Sequence, residues 1–324
     1  ALELYKATAK AGEPDTYYYD VASNFWQMVV SRYAYSIGGV GTGEKFTEPY
    51  RQANNIAGDS NCETCAAYNM LKLTKELNNF DPDNAEYMDY YERTLYNQIL
   101  ASQTPNTTTT MHNGTTYMLP IGPGQRRDYG GDYNSFSCCH GTGMENHVKY
   151  QEAAYVKTND TLYVGLYLPS TVTWEEKDLT VKQETVFPSD TSKFTVSGTG
   201  TGTFTMKLRV PYWAAEGINV KVNGENVKID AEVSSYAALK GIKSGDVIEV
   251  TIPWSLHLDS TPDKLGNSTV SSVMYGPLVM AAEDDNTNWS TLILSNTISD
   301  SIQISEDAKN GFPVLTAKGY TFRP

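Results

Sequence analysis

The spacing of apolar residues changes near residue 160, and this change constrains the fold of the chain more than any other feature. Before it, apolar residues recur three and four positions apart, as they do along one face of a helix. After it, they alternate with polar residues, as they do in strands with one buried face. Because the helical part comes first and the strand part second, the pattern predicts an α+β fold with separate layers: a helical domain followed by an antiparallel β-sandwich.

The first part of the chain predicts four helices. Asp15 or Thr16 can cap the start of the first helix, the second begins near Cys62, the third covers about residues 84–100, and the fourth follows Cys138-Cys139. The predicted inward-facing stripes are, in chain order, Tyr18, Ala22, Phe25, Val29 and Tyr33; Ala66, Met70, Leu73 and Leu77; Met88, Tyr91, Leu95 and Ile99; Met144, Val148 and Tyr155. Residues 104–135, rich in Thr, Asn, Gly and Pro, predict a loop with short strands.

The second part of the chain predicts paired strands. Apolar residues alternate over 162–168, 204–210 and 248–252. Asn223-Gly224 lies between two short alternating runs, and this dipeptide is a strong signal for a β-hairpin. The predicted domains are 1–158 for the helical domain, 159–258 for the β-sandwich, and 259–324 for further strands that form part of a second β domain or complete the first.

The composition narrows the class of partner. The 25 basic and 38 acidic residues give a net charge of −13, which argues against nucleic acid or an anionic membrane as a partner. The sequence contains no apolar run of about 18 residues, so no membrane span is predicted. An acidic chain with 23 Tyr and 5 Trp suits a neutral substrate such as a carbohydrate, although Tyr also fills sheets and helix interfaces.

The four cysteines of the chain form two close pairs, Cys62-Glu63-Thr64-Cys65 and Cys138-Cys139. Thiolate, imidazole and carboxylate groups are the ligands of tetrahedral zinc, so the pairs predict a zinc site. One ligand set is the four cysteines, and the other replaces Cys62 by Glu63. On an ideal helix residues 62 and 65 share a face whereas 63 and 65 do not, so the set with Glu63 requires a helix terminus at this point. Disulfides across the two pairs are the alternative in an oxidising compartment.

A metal-bound thiolate in a substrate pocket is also a nucleophile. A retaining glycosidase pairs its nucleophile with a carboxyl acid/base on the other side of the scissile bond. Glu44, on a Gly-rich loop, is a candidate acid/base, although a lone Glu on a loop is more often simply solvated. His140, beside the cysteines, is a candidate metal ligand or proton carrier, and Gly141 and Gly143 suit close backbone approach.

Five ordered motifs identify a family. They are GGVGTGEKF at 38–46, CETCAAYNMLK at 62–72, YYER at 90–93, YMLP at 117–120 and SFSCCHGTG at 135–143. This set resembles the β-L-arabinofuranosidase superfamily, which comprises glycoside hydrolase families 127 and 146 and uncharacterised relatives. The resemblance covers residues 30–157, and the β region shares the general character of the family.

The resemblance implies a role for individual residues. Cys138 would be the nucleophile and a ligand of Zn²⁺, and Glu63, Cys65 and Cys139 would complete the zinc site. Glu44 would be the general acid/base, and Tyr117 and His140 are candidate substrate contacts. The implied reaction is retaining hydrolysis of a β-L-arabinofuranoside, and the implied partner is an arabinose-containing glycan or glycoconjugate. Cys62 departs from the family pattern and adds a thiol that could compete for the metal.

The resemblance also implies a closed (α/α)6 barrel as the catalytic domain. Since about four helices are predicted here, we expect a fragment that lacks the N-terminal part of that barrel. Two other functions fit the same residues. One is a non-catalytic carbohydrate-binding module with a structural zinc, and the other is a glycosidase of this superfamily with another sugar specificity. A disulfide-stapled secreted interaction protein is a further alternative.

Overall fold

The structure of the chain is a computed structural model that describes residues 1–58, 60–104, 114–129, 136–282, 284 and 286–324. Parts of the predicted loop over 104–135 lie outside these described residues. The chain divides into two compact units. The first comprises residues 1–77, 90–149 and 256–324, and the second comprises residues 78–89 and 150–255.

The helices lie in the first half of the chain, as predicted. In chain order they are α1 (Leu2–Lys10), α2 (Thr16–Tyr33), α3 (Gln52–Asn55), α4 (Thr64–Phe80), α5 (Glu86–Thr94), which continues as a π-helical segment (Leu95–Leu100), and α6 (Cys138–Asn146). The predicted stripe of the third helix is confirmed, because Met88, Tyr91, Leu95 and Ile99 are all buried. Within the described ranges, no helix is long and apolar enough to span a membrane.

Helix α2 has the predicted cap but a different buried face. Asp15 accepts a hydrogen bond from the Tyr17 backbone N–H. Ala22, Trp26 and Val29 are buried, whereas Phe25 is 41% exposed. The predicted stripe was therefore wrong at Phe25, because Trp26 and not Phe25 faces inward. A buried indole N–H needs a hydrogen-bond partner, and Trp26 has one, because its indole donates to the Thr74 hydroxyl of α4 at 2.8 Å.

Helix α6 differs from its prediction in both start and buried face. It begins at Cys138 itself, and Cys139, Gly143 and Asn146 form its buried face. Met144 and Val148 are 75% and 79% exposed, and Tyr155 lies in a strand, so the predicted stripe was wrong. Gly143 is needed for close approach, since a Cβ there would come within 2.7 Å of Thr115 Cγ2. Gly141 has no comparably close neighbour.

The second unit contains a β-sandwich. Its strands are β1 (Tyr155–Lys157), β2 (Thr161–Val164), β3 (Ser170–Trp174), β4 (Leu179–Glu184), β5 (Thr191–Gly198), β6 (Phe204–Val210), β7 (Asn219–Val222), β8 (Glu225–Val227), β9 (Ser235–Ile242) and β10 (Val247–Thr251). One sheet has the order β1-β2-β6-β9 and the other β3-β4-β5-β10-β7-β8. The alternating residues of both sheets form one buried core, so the predicted sandwich is confirmed.

Two features of the sandwich pairing stand out. Asn223 and Gly224 both have left-handed backbones, with φ of 52° and 85°, and they close the β7–β8 hairpin as predicted. Strands β2 and β6 pair in parallel, whereas the sequence predicted antiparallel pairing throughout. Alternation reports which face of a strand is buried and carries no information about strand direction.

A third sheet belongs to the first unit. It comprises β11 (Leu256–Leu265), β12 (Ser268–Tyr275), β13 (Leu278–Ala282), β14 (Gln303–Glu306), β15 (Pro313–Ala317) and β16 (Tyr320–Arg323), in the order β11-β12-β13-β16-β15-β14. Asp263 of β11 accepts hydrogen bonds from the backbone N–H groups of Ala53 and Asn54 in α3. These strands therefore contact helical segments of their own unit. The domain boundaries given above stay a prediction.

A buried ion pair in the second unit holds Asp89, in the first part of α5. The Arg209 side chain of β6 is fully buried and pairs with Asp89. Asp89 also accepts from the Tyr212 backbone N–H and the Ser234 hydroxyl, and the Arg209 Nε–H donates to the Gly165 carbonyl at 2.7 Å. Both charges are thus hydrogen-bonded on several sides, which is the condition for keeping an ion pair away from water.

Replacing Asp89 by Ala should leave the Arg209 charge buried without its partner. We expect a loss of about 3–5 kcal/mol in the free energy of unfolding, measured by urea denaturation. Asp83→Ala is the matched control. Asp83 pairs with Lys207 in the same unit, but its side chain is 64% exposed, so its loss should cost less than about 1 kcal/mol. Equal losses for the two variants would contradict this account.

Candidate active site

Four possible ligand atoms from two distant segments meet in the first unit. Glu63 Oε1 lies 2.9 Å from Cys65 Sγ and 3.5 Å from Cys138 Sγ. Cys138 Sγ lies 3.6 Å from Cys65 Sγ and 4.0 Å from Cys139 Sγ. Ligand atoms of all four residues lie within 4.8 Å of one another, so the cluster could hold a metal ion.

These separations fit a tetrahedral donor set. With metal–sulfur bonds of about 2.3 Å and metal–oxygen bonds of about 2.0 Å, a tetrahedron has sulfur–sulfur edges of about 3.8 Å and sulfur–oxygen edges of about 3.5 Å. The two sulfur–sulfur distances of 3.6 and 4.0 Å lie on either side of the first value. The Cys138–Glu63 distance of 3.5 Å matches the second. The sulfurs of Cys65 and Cys139, which lie 2.9 and 4.0 Å from Glu63 Oε1, would each have to move by roughly half an ångström.

The start of α4 brings Glu63 and Cys65 to the same point. Glu63 precedes Thr64, the first residue of α4, and pairs with Met118 in an isolated β-bridge. The Thr64 backbone N–H donates to the Tyr117 carbonyl at 3.0 Å. Because Glu63 has left the helix, its side chain is free of the helical spacing that would turn it away from Cys65. This is the helix terminus that the ligand set with Glu63 requires.

Cysteines 138 and 139 reach the cluster from the first turn of α6. They are the first two residues of that helix, and Cys139 is buried whereas Cys138 is exposed. The Cys65 backbone N–H donates to Cys139 Sγ at 3.3 Å, which ties the start of α4 to the start of α6. The sequence could not predict the bridge between Glu63 and Met118, because a single bridged pair of residues leaves no repeating pattern of apolar residues.

Cys62 does not join the cluster. It is fully buried with Tyr35, Ile37, Ile56 and Leu119, and burial raises the pKa of its thiol. The ligand set of four cysteines is therefore not assembled in the structure. No disulfide joins any of the four cysteines, so the disulfide-stapled alternative is not seen either.

Glu44 lies at the tip of a tight turn. Thr42 and Lys45 exchange backbone hydrogen bonds of 3.0 and 3.2 Å. Between them Gly43 and Glu44 have φ of 56° and 59°, which is the backbone of a type I′ turn. A left-handed backbone is uncommon for a residue with a Cβ, and such conformations concentrate at functional sites. This conformation supports a role for Glu44 that its sequence position alone did not establish.

Tyr117 connects Glu44 with the cysteine cluster. Its hydroxyl donates to Glu44 Oε1 and lies 3.6 Å from Cys138 Sγ. Since one phenol oxygen contacts both groups, Glu44 Oε1 lies no more than about 6 Å from Cys138 Sγ, a limit that admits the about 5–5.5 Å between the two catalytic groups of a retaining glycosidase. The hydrogen bond to Glu44, followed by the contact with Cys138, raises the pKa of Tyr117, so the phenol keeps its proton.

His140 has a structural contact at the start of α6. The Ser137 backbone N–H donates to His140 Nδ1 at 3.2 Å, and the Ser137 hydroxyl lies 2.7 Å from the same nitrogen. Because Nδ1 accepts, the neutral ring carries its proton on Nε2. His140 is not part of the four-residue cluster. Its role as a substrate contact stays a prediction.

The protonation of the buried thiols follows from their surroundings. Burial raises the pKa of Cys65, and the hydrogen bond to Glu63 raises it further. Burial also raises the pKa of Cys139, to about 11, against the opposing effect of the Cys65 backbone N–H. In the absence of a cation, these two residues are therefore neutral thiols at pH 7. A metal would have to displace their protons, so metal affinity should rise with pH.

The cysteines should differ in reactivity once any metal has been removed with a chelator. Alkylation requires an accessible thiolate. We expect iodoacetamide to modify Cys138 first, because it alone of the four is exposed, and Cys62 last, because it is fully buried. Peptide mass spectrometry over a time course at pH 8 measures the order. Modification of Cys62 at the rate of Cys138 would contradict the burial of Cys62.

Two family models match most of the chain. The model of the β-L-arabinofuranosidase GH127 catalytic domain matches residues 6–152. The model of the β-L-arabinofuranosidase GH127 middle domain matches residues 161–254. The first match contains Glu44, Tyr117 and the whole cysteine cluster, and the second contains most of the β-sandwich.

Characterised relatives agree with these matches. The non-reducing end β-L-arabinofuranosidase of Bifidobacterium longum subsp. longum is 27% identical over 285 residues, which cover 82% of this chain and 42% of the relative. The crystal structure of a GH127 β-L-arabinofuranosidase from Geobacillus stearothermophilus T6 superposes with a TM-score of 0.74 at 25% identity, covering 90% of this chain and 48% of the other.

A second solved structure, a GH127 β-arabinofuranosidase, also superposes with a TM-score of 0.74, at 22% identity. The superposition covers 97% of this chain and 54% of the other, and at this identity it shows a shared fold alone. The chain thus spans about half the length of the relatives it matches. The predicted fold class, a helical domain followed by a β-sandwich, is confirmed. The matches to both domains, with the fold they share, show that the chain belongs to the β-L-arabinofuranosidase superfamily.

Proposed function

We propose that the protein is a retaining glycoside hydrolase that cleaves β-linked L-arabinofuranosides. The observation that supports this most directly is the contact chain from Glu44 through the Tyr117 hydroxyl to Cys138. It sets a carboxyl group and an exposed thiol at a separation that fits acid/base and nucleophile. The names of the relatives support an arabinose-containing glycan or glycoconjugate as the substrate.

The reaction uses the two groups twice. In the first step the thiolate form of Cys138 attacks the anomeric carbon while Glu44, in its acid form, protonates the glycosidic oxygen, and the aglycone leaves as an alcohol. The product is a thioglycosyl group on Cys138. In the second step Glu44, now a carboxylate, takes a proton from water, which attacks the anomeric carbon and releases the Cys138 thiolate. Two inversions give net retention.

Tyr117 is suited to hold Glu44 in place between these steps. A phenol that keeps its proton donates to the carboxylate form of Glu44, and its oxygen stays beside the sulfur of Cys138. Holding the reacting groups at a fixed separation lowers the entropic cost of reaching the transition state. Because the Tyr117 hydroxyl contacts both groups, it is also a candidate contact for the sugar.

Glu63, Cys65, Cys138 and Cys139 are the residues that would hold Zn²⁺. Three sulfurs and one carboxylate oxygen at near-tetrahedral separations suit zinc better than magnesium or calcium, which prefer oxygen ligands in larger numbers. Bound zinc would stabilise the thiolate form of its cysteine ligands at neutral pH. This matters here because Cys65 and Cys139 are otherwise neutral thiols.

Replacing Cys65 by Ser should abolish retention of zinc, because the site would lose one of its three sulfur ligands. Cys62→Ser is the matched control: it changes the same residue type three positions away, and Cys62 lies outside the cluster. Metal content after desalting, measured by atomic emission, should be about one zinc per chain for the wild type and for Cys62→Ser. Unchanged zinc in Cys65→Ser would refute the ligand assignment.

Replacing Glu44 by Gln should remove acid catalysis without removing the nucleophile. A nitrophenol leaves without a proton donor whereas a simple alcohol does not, so kcat/KM should fall by about 100-fold or more for a methyl β-L-arabinofuranoside and by less than about tenfold for the nitrophenyl glycoside. Glu48→Gln is the control, since Glu48 is an exposed carboxylate on the same loop. Equal losses on both substrates, or zinc retention with no hydrolysis by the wild type, would contradict the proposal.

A further inference from the structure

The buried side chain of Asn61 joins two backbone segments, residues 55–58 and Ile121. Asn61 is fully buried, and its amide nitrogen lies 3.1 Å from the carbonyls of Asn55 and Gly58 and 3.2 Å from that of Ile56. Its amide oxygen accepts from the Ile121 backbone N–H at 3.3 Å. The donors and the acceptor of one side chain therefore bind two separate stretches of backbone.

The backbone at Asn61 also supports the turn that carries Glu44. Asn61 pairs with Thr42 in an isolated antiparallel bridge. The Gly43 backbone N–H donates to the Ser60 carbonyl at 2.7 Å. Thr42 and Gly43 are the two residues before Glu44, so the position of Asn61 determines where the base of that turn lies.

Asn61 and its backbone partner Ile121 are both close in sequence to other residues of the site. Glu63 follows Asn61 by two positions, and Ile121, its backbone partner, follows Tyr117 by four. The segment that Asn61 binds is itself fixed, because Asp263 accepts from the backbone N–H groups of Ala53 and Asn54 at 2.8 and 3.3 Å. Asn61 thus connects an anchored segment to the Glu44 turn.

We propose that Asn61 is a positioning residue that holds the Glu44 turn at the correct distance from Tyr117 and Cys138. The effect that we expect on the reaction rate rests on the proposed function of Glu44 as the acid/base. A Glu at φ of 59° needs its surroundings to impose that backbone. Removal of the amide frees the segment beneath the turn, so Glu44 spends less time within reach of the glycosidic oxygen, while the cysteines keep their places.

The test compares Asn61→Ala with a matched control, Asn97→Ala. Asn97 is also buried, and its side chain bonds three backbone groups, against four for Asn61: it donates to the carbonyls of Arg93 and Pro277, both at 2.9 Å, and accepts from the Val279 N–H at 2.8 Å. None of these groups belongs to the candidate site. Any general effect of losing a buried, hydrogen-bonded asparagine side chain should therefore appear in both variants.

The first measurement does not depend on activity. Hydrogen exchange of a peptide that covers residues 42–45 reports the amides of Gly43 and Lys45, which bond to Ser60 and Thr42. We expect exchange at these amides to be at least about tenfold faster in Asn61→Ala and unchanged in Asn97→Ala. Unchanged exchange in Asn61→Ala, or equal acceleration in both variants, would overturn the proposal.

The second measurement separates positioning from general loss of structure. With zinc content unchanged, Asn61→Ala should lose about tenfold to 100-fold in kcat/KM on the methyl glycoside and less than about threefold on the nitrophenyl glycoside. Equal losses on both substrates, or loss of zinc, would show a merely structural role and overturn the proposal. If the wild type hydrolyses neither substrate, the proposed function has failed, and the exchange measurement alone decides whether Asn61 positions the turn.

Discussion

The convergence of residues 63–65 and 138–139 on one point is the constraint on which the rest of the site depends. The two segments are 73 residues apart in sequence, yet the sulfurs of Cys65 and Cys138 lie 3.6 Å from each other. Both segments are helix starts, where the backbone changes direction and its N–H groups are free to bond other partners. Here the Cys65 N–H bonds the Cys139 sulfur, so the two helix starts fix each other.

Three of the groups assigned to the site lie on short irregular segments, and regular elements hold those segments in place. Glu44 is on a type I′ turn, Glu63 is just outside a helix, and the Tyr117 carbonyl accepts from the Thr64 N–H at the start of α4. Such segments would be mobile if their backbone groups bonded only water. In this protein they pair with one another through single bridges and buried side chains, so the site keeps a defined geometry without belonging to any sheet.

The sequence predicted what periodicity and composition encode. It gave the order of layers, the inward face of the third helix, and the Asn223-Gly224 hairpin, and the family motifs gave the candidate residues. It did not settle whether Cys62 or Glu63 joins the cluster, because that depends on where α4 begins. It missed the buried face of α6, since small residues such as Gly143 face inward there and apolar Met144 and Val148 face outward. The parallel pairing of β2 with β6 and the bonds of Asn61 are tertiary contacts with no local signal.

The central claim is that Cys138 is a nucleophile toward an arabinofuranose ring. Incubation of the zinc-loaded protein with an electrophilic mimic of β-L-arabinofuranose, followed by peptide mass spectrometry, tests it most directly. The account predicts one sugar adduct, on Cys138, that is absent from Cys138→Ser and suppressed by an excess of arabinofuranoside. An adduct on another residue, or hydrolysis of the glycoside without any adduct on Cys138, would contradict it.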